Sequence, residues 1–122
     1  DVESGLALNS ESELKLENGF AAFTKDFFDN GAYVIENNQT HEVSLRDPEG
    51  KNYLNVYFPE APLFGLWSAE KKNAPYAAIE PWFGRCDKED FNGSLEEREW
   101  GHALAQGACF QAAYTIEIAG ED

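Results

Sequence analysis

Strict alternation of apolar and polar side chains is the feature that most constrains what this chain can fold into. His41, Val43 and Leu45 alternate with Thr40, Glu42, Ser44 and Arg46, and Leu54, Val56 and Phe58 alternate with Tyr53, Asn55 and Tyr57. The cleanest run sets Phe110, Ala112, Tyr114, Ile116 and Ile118 against Gln111, Ala113, Thr115 and Glu117, and a shorter one sets Leu14 and Leu16 against Glu13, Lys15 and Glu17. Successive side chains of a strand point to opposite faces, so a period of two describes antiparallel strands with one face buried and one wet. Tyr33-Val34-Ile35 and residues 63–67 read as shorter strands on their aromatic and β-branched content. Helical spacing occurs once, at Phe20, Phe23 and Phe27, enough for a turn or two of helix.

Turn residues separate these runs. Asp47-Pro48-Glu49-Gly50 has Pro at the second position and Gly at the fourth, which suits a type I turn. Asn37-Asn38 and Asn92-Gly93 tolerate positive φ. Short strands at such spacing predict an all-β sandwich or a piece of a barrel. No internal repeat or low-complexity linker divides the chain, so residues 1–122 read as one unit without an internal boundary. Fraying is expected in the first dozen residues and in Gly120-Glu121-Asp122.

Charge narrows the partners. The formal net charge is −14, which repels phosphate backbones and anionic lipid heads, so neither nucleic acid nor a membrane surface is expected as a partner. No apolar run approaches transmembrane length and no leader opens the chain, so a soluble protein is expected. The chain begins at Asp1 and has no Met, as a processed protein or a piece of a longer one would. Cys86 and Cys109 have no second Cys or His at metal-ligand spacing and are too few for a disulfide framework. They read as reduced thiols in the cytoplasm, with a Cys86–Cys109 bridge as the alternative. No phosphate-binding glycine loop and no nucleophile elbow is present, and no cofactor is expected. Glu96-Glu97-Arg98-Glu99 reads as a solvated acidic run rather than a metal site.

The segment with chemistry in it is Pro75-Tyr76-Ala77-Ala78-Ile79-Glu80-Pro81-Trp82-Phe83-Gly84. Read as a strand, it puts Glu80 on one face with Tyr76, Ala78 and Trp82. A carboxylate among aromatic rings is a candidate general base, against the plainer reading of a solvated strand residue. Pro81 lacks a ladder donor, so the strand should end there or lie at a sheet edge. Trp67 and Trp82, taken as residues of aromatic strands, default to packing.

Together with Phe64-Gly65-Leu66-Trp67-Ser68, this segment resembles the C-terminal portion of the aldose 1-epimerases, in particular their galactose mutarotase-like branch. Leu95-Glu96-Glu97-Arg98-Glu99 and the closing run at residues 110–118 are similar to the same family's ending. The resemblance implies a twisted antiparallel β-sandwich of which this chain is the C-terminal segment, and an enzyme that interconverts the α and β anomers of a hexose. In that family a glutamate takes the proton of the anomeric hydroxyl while a histidine protonates the ring oxygen. Glu80 matches the base, and Trp67 and Trp82 match aromatic positions beside the sugar. The acid histidine, and the arginine and second histidine that orient the sugar, would lie in an N-terminal half. His41 and His102 stand in no matching motif and read as structural or surface residues. The family's sugar-holding aspartate falls at Asn30 or Gly31 rather than Asp29. The isolated chain is therefore expected to be inactive and to associate with its N-terminal half or with itself. A non-catalytic carbohydrate-binding sandwich is the alternative.

Overall fold

The computed structural model describes residues 1 and 3–119; Gly120-Glu121-Asp122 lies outside the described residues. Six strands form two antiparallel three-stranded sheets: β1 (Tyr33–Ile35), β4 (Leu63–Trp67) and β5 (Ala78–Trp82) in the order β1-β4-β5, and β2 (Glu42–Arg46), β3 (Asn52–Tyr57) and β6 (Thr115–Ile118) in the order β2-β3-β6. No α-helix occurs among the described residues, only a 3₁₀ turn at Leu95–Glu97. The sheets meet over Phe28, Val56, Phe58, Ala61, Phe64 and Leu66, with Tyr33, Ile35, Val43, Leu54 and Ile79 packed against them. Val43, Leu54 and Val56 are the apolar members of the alternating runs, and their polar neighbours face out. Fully burying a side chain of this kind contributes about 1.5–3 kcal/mol.

The β2–β3 hairpin closes as its sequence indicates: the Gly50 N–H donates to the Asp47 carbonyl at 3.0 Å, and Gly50 has φ +85°. On its outer face the Asn55 amide and the Tyr57 hydroxyl both donate to Glu117 Oε2 at 2.9 Å. These bonds, that from Asn55 foremost, hold the Glu117 carboxyl below the usual range. Asn37 and Asn38 have φ of +65° and +54°, whereas neither Asn92 nor Gly93 uses positive φ.

Three expectations need correction. Residues 110–114 do not continue β6, because β3 runs out of partners. Register pairs Tyr57 with Thr115; Phe58 next turns its N–H to the β2 side, where it donates to the His41 carbonyl at 2.8 Å, and Pro59, the next residue to face β6, has no N–H to give. Phe110 packs instead on Phe83 and His102, with ring centroids 5.3 and 5.4 Å away. Residues 13–16 form no strand; the chain doubles back at Asn18-Gly19 (φ +52° and +84°) and makes one bridge there, Glu17 to Phe20. The Phe20, Phe23, Phe27 spacing gives no helix but successive four-residue turns, with the N–H groups of Phe27, Asp29 and Gly31 donating to the carbonyls of Thr24, Asp26 and Phe28. Phe23, Phe27, Phe28 and Tyr33 form an aromatic cluster, while Phe20 lies under the Arg46 guanidinium at 3.9 Å.

Candidate functional site

Strand parity decides what each face of the β1-β4-β5 sheet carries. One face presents Tyr33, Ile35, Phe64, Leu66 and Ile79 to the core. The other carries Val34, Gly65 and Glu80 in one row, with Trp82 opposite Leu63 and Ala78 opposite Trp67 in the rows on either side. Glu80 is thus half-buried on the face turned away from the core, which it shares with Ala78 and Trp82, while Tyr76 lies before the strand begins. Pro81 sits opposite Phe64 in β5, the edge strand of its sheet, which ends one residue later.

The Trp82 indole N–H donates to Glu80 Oε2 at 3.2 Å. Its ring folds back across the sheet onto Gly65: a Cβ there would stand 2.9 Å from Trp82 Cζ2, 3.2 Å from Cε2 and 3.4 Å from Glu80 Oε2. Glycine inside a strand marks close approach of another group, and here the group is an indole. Glu80 Oε1 has no hydrogen-bond partner among the described residues.

Trp67 lies diagonally across from Glu80 at the end of β4. Its indole N–H donates to Glu70 Oε1 at 2.8 Å, which holds the Glu70 carboxyl below its ordinary range. Its ring stands 6.0 Å from that of exposed Tyr76. Beyond Tyr76 the surface dips into a hollow of about 240 Å³ lined by Phe23, Phe28, Asp29, Tyr53 and Ser68. Gly31, one of the two positions matched to a sugar-holding aspartate, has φ +96° and offers no side chain. Asp29 accepts the Lys71 N–H at 3.2 Å.

Each of the two histidines bonds a backbone carbonyl through one ring nitrogen. His41 Nδ1 bonds the Phe58 carbonyl at 3.2 Å, and His102 Nε2 bonds the Phe83 carbonyl. A carbonyl can only accept, so each of these nitrogens carries its proton. Cys86 and Cys109 are free and exposed. No group of three His, Cys, Asp or Glu side chains among the described residues is disposed to hold a metal ion. No helix among them is long and apolar enough to cross a membrane.

Three features of the site went unread in the sequence. Gly65 was signalled by its place inside an aromatic strand. Glu70 is three residues from Trp67 in a loop whose course the sequence does not specify. Arg85 is an ionic hub with its side chain only 2% exposed. It binds Glu36, Glu99 and the Cys86 carbonyl, and the Trp100 indole reaches the same Glu36 at 3.4 Å.

Two antiparallel sheets with this outward face define a class: the fold is that of the galactose mutarotase-like β-sandwiches, and the resemblance read from the sequence holds in three dimensions. Among solved structures the chain is similar to a galactose mutarotase related enzyme from Lactobacillus acidophilus, with a TM-score of 0.72 and 33% identity over 82% of this chain. Among curated proteins it is similar to "Protein LacX, chromosomal" of Lactococcus lactis subsp. lactis, 27% identical over 88 residues, or 72% of this chain. The chain spans 34% of the length of the solved neighbour and 27% of that of the curated relative. No protein-family model matches it.

Proposed function

We propose that this chain is the C-terminal segment of a single galactose mutarotase-like domain, and that the complete polypeptide is an aldose 1-epimerase-like isomerase interconverting the anomers of a hexose. Glu80 is the general base, and Trp67 and Trp82 form the wall on which the apolar face of a pyranose stacks. One observation carries the reading: a half-buried carboxylate with one oxygen held by an indole and the other without a partner, on the sheet face away from the core. Removing the anomeric proton asks for such a group. The likeness to a galactose mutarotase related enzyme supports a sugar as the substrate.

Opening the ring also needs a proton delivered to the ring oxygen. His41 and His102 stand in no stretch that matches the family's acid histidine, so on this reading the acid comes from the rest of the polypeptide and residues 1–122 alone do not turn over. Leu104, Phe110, Tyr114, Ile116 and Ile118 are all exposed, and exposed apolar patches mark interaction surfaces. They are covered by the N-terminal half or, in its absence, by a second copy. The free thiols of Cys86 and Cys109 suit a reducing cytoplasm.

Polarimetry on a freshly dissolved pure anomer tests the reading. In the complete polypeptide Glu80→Gln keeps the shape but loses the acceptor, and kcat should fall about 10²–10⁴-fold with KM little changed. Rates within a few fold of the parent refute the base. Sugar binding that persists in a complete polypeptide without turnover establishes the binding-domain alternative instead.

A further inference from the structure

We infer that Trp82 and Gly65 act as a positioning pair for the Glu80 carboxylate, so that Trp82 is more than a stacking surface and Gly65 is part of the site. The inference rests on the reading of Glu80 as the base.

A strand glutamate on an open face has three side-chain torsions and loses much of its rotamer freedom only when something holds it. Here the holder is two residues away on the same face: the Trp82 indole donates to Oε2 at 3.2 Å. An indole N–H can donate but not accept, so it holds Oε2 in place without competing with the carboxylate for the substrate proton. With Oε2 engaged, Oε1 is the oxygen left to take the proton.

The indole can make that bond only because of what lies beneath it. Its six-membered edge rests where a side chain at residue 65 would be, with Cζ2 only 2.9 Å from a built Cβ. Any residue but glycine pushes the ring outward and carries its N–H away from Glu80. The same absent side chain leaves room for the carboxylate itself, whose Oε2 would stand 3.4 Å from that Cβ. Register puts Gly65 directly opposite Glu80, so one glycine clears space for both partners of the hydrogen bond.

The decisive readout is spectroscopic and independent of turnover. The chain has three tryptophans, so three indole N–H signals are resolved by ¹⁵N NMR and assigned with single Trp→Phe variants. Glu80→Ala should move the Trp82 indole proton upfield and speed its exchange with solvent, while Trp67 and Trp100, which donate to Glu70 and Glu36, stay in place. Gly65→Ala should reproduce that displacement with Glu80 intact. A Trp82 signal that responds to Glu80→Ala no more than the other two overturns the pair. In the complete polypeptide, 3-benzothienylalanine at position 82 keeps the ring shape and removes the N–H. It should lower kcat about tenfold or more with KM within about twofold, and an unchanged kcat overturns the positioning role. If Glu80→Gln leaves mutarotation intact, the base reading fails, whereas the NMR result stands or falls on its own.

Discussion

Placing a methyl group at Gly65 tests the packing of the site with a magnitude that follows from the geometry. Gly65 does not have positive φ, so alanine fits its backbone and, by restricting the unfolded chain, should stabilise by about 0.5–1 kcal/mol. Against that, the new carbon would sit 2.9 Å from Trp82 Cζ2, where carbon atoms prefer roughly 3.5–4 Å. The ring must retreat by roughly 0.5–1 Å, overpacking of this kind costs about 1–3 kcal/mol, and the bond to Glu80 is lost as well. Gly65→Ala should therefore destabilise by about 1–3 kcal/mol. Removing the ring reverses the sign. In a Trp82→Ala background the nearest remaining neighbour is Glu80 Oε2 at 3.4 Å, an ordinary contact, and Gly65→Ala should be neutral or stabilising by up to about 1 kcal/mol. Urea unfolding of parent, single and double variants, followed by far-ultraviolet circular dichroism, gives the coupling, expected at about 2–3 kcal/mol. Additivity within about 0.5 kcal/mol would mean that the indole does not rest on Gly65, and the account of the site would fail.

Phe58, fully buried between Phe64 and His41, should cost about 3–5 kcal/mol on replacement by Ala, whereas exposed Phe110 should cost far less; equal costs in urea unfolding would refute the core assignment. Trp67→Ala should weaken binding of a hexose to the complete polypeptide while leaving its melting temperature nearly unchanged, and calorimetric titration beside thermal unfolding separates the two. The Glu99 carboxyl is held below its ordinary range by Arg85 first and Lys88 second. Its contribution is therefore full above the usual glutamate range and is lost as pH falls through the lowered folded value. Melting temperatures recorded from about pH 6 down to about pH 3 should fall less steeply in Glu99→Gln than in the parent, and a parallel curve would refute the linkage.

Legibility in the sequence followed the availability of partners. β2 and β3 alternate cleanly and are joined by a turn whose residues specify it, so pattern and turn agreed on one hairpin. β1 and β4 were found on composition alone because buried strands need apolar and β-branched residues. Residues 110–114 alternate as well as any strand, yet pairing depends on what the neighbouring strand offers, and Pro59, the next residue of that strand to face β6, has no N–H. Nothing local in residues 110–114 records that. Glu80 and Trp82 could be put on one face by counting in twos along their strand, Trp67 only once register joined β4 to β5, and all three were matched to roles only through resemblance. What holds them could not be counted: Glu70 reaches Trp67 across a loop, and Arg85 gathers carboxylates from residues 36 and 99.

The hairpin of β4 and β5 contains the whole arrangement around Glu80, and this bears on the order in which the molecule folds. Gly65, Trp67, Glu80 and Trp82 lie within one antiparallel pair joined by residues 68–77. By contrast, β1 reaches β4, and β3 reaches β6, only across long stretches of chain. Hairpins close in microseconds, while contacts distant along the chain set the slow step. The carboxylate is thus expected to meet its indole before the two sheets come together. A slip of one residue in this hairpin would turn Glu80 into the nascent core and expel Ile79, stranding a charge against Phe64 and Leu66. Misaligned hairpins are then poor substrates for closure, and Glu80 serves during folding as a mark of the correct alignment.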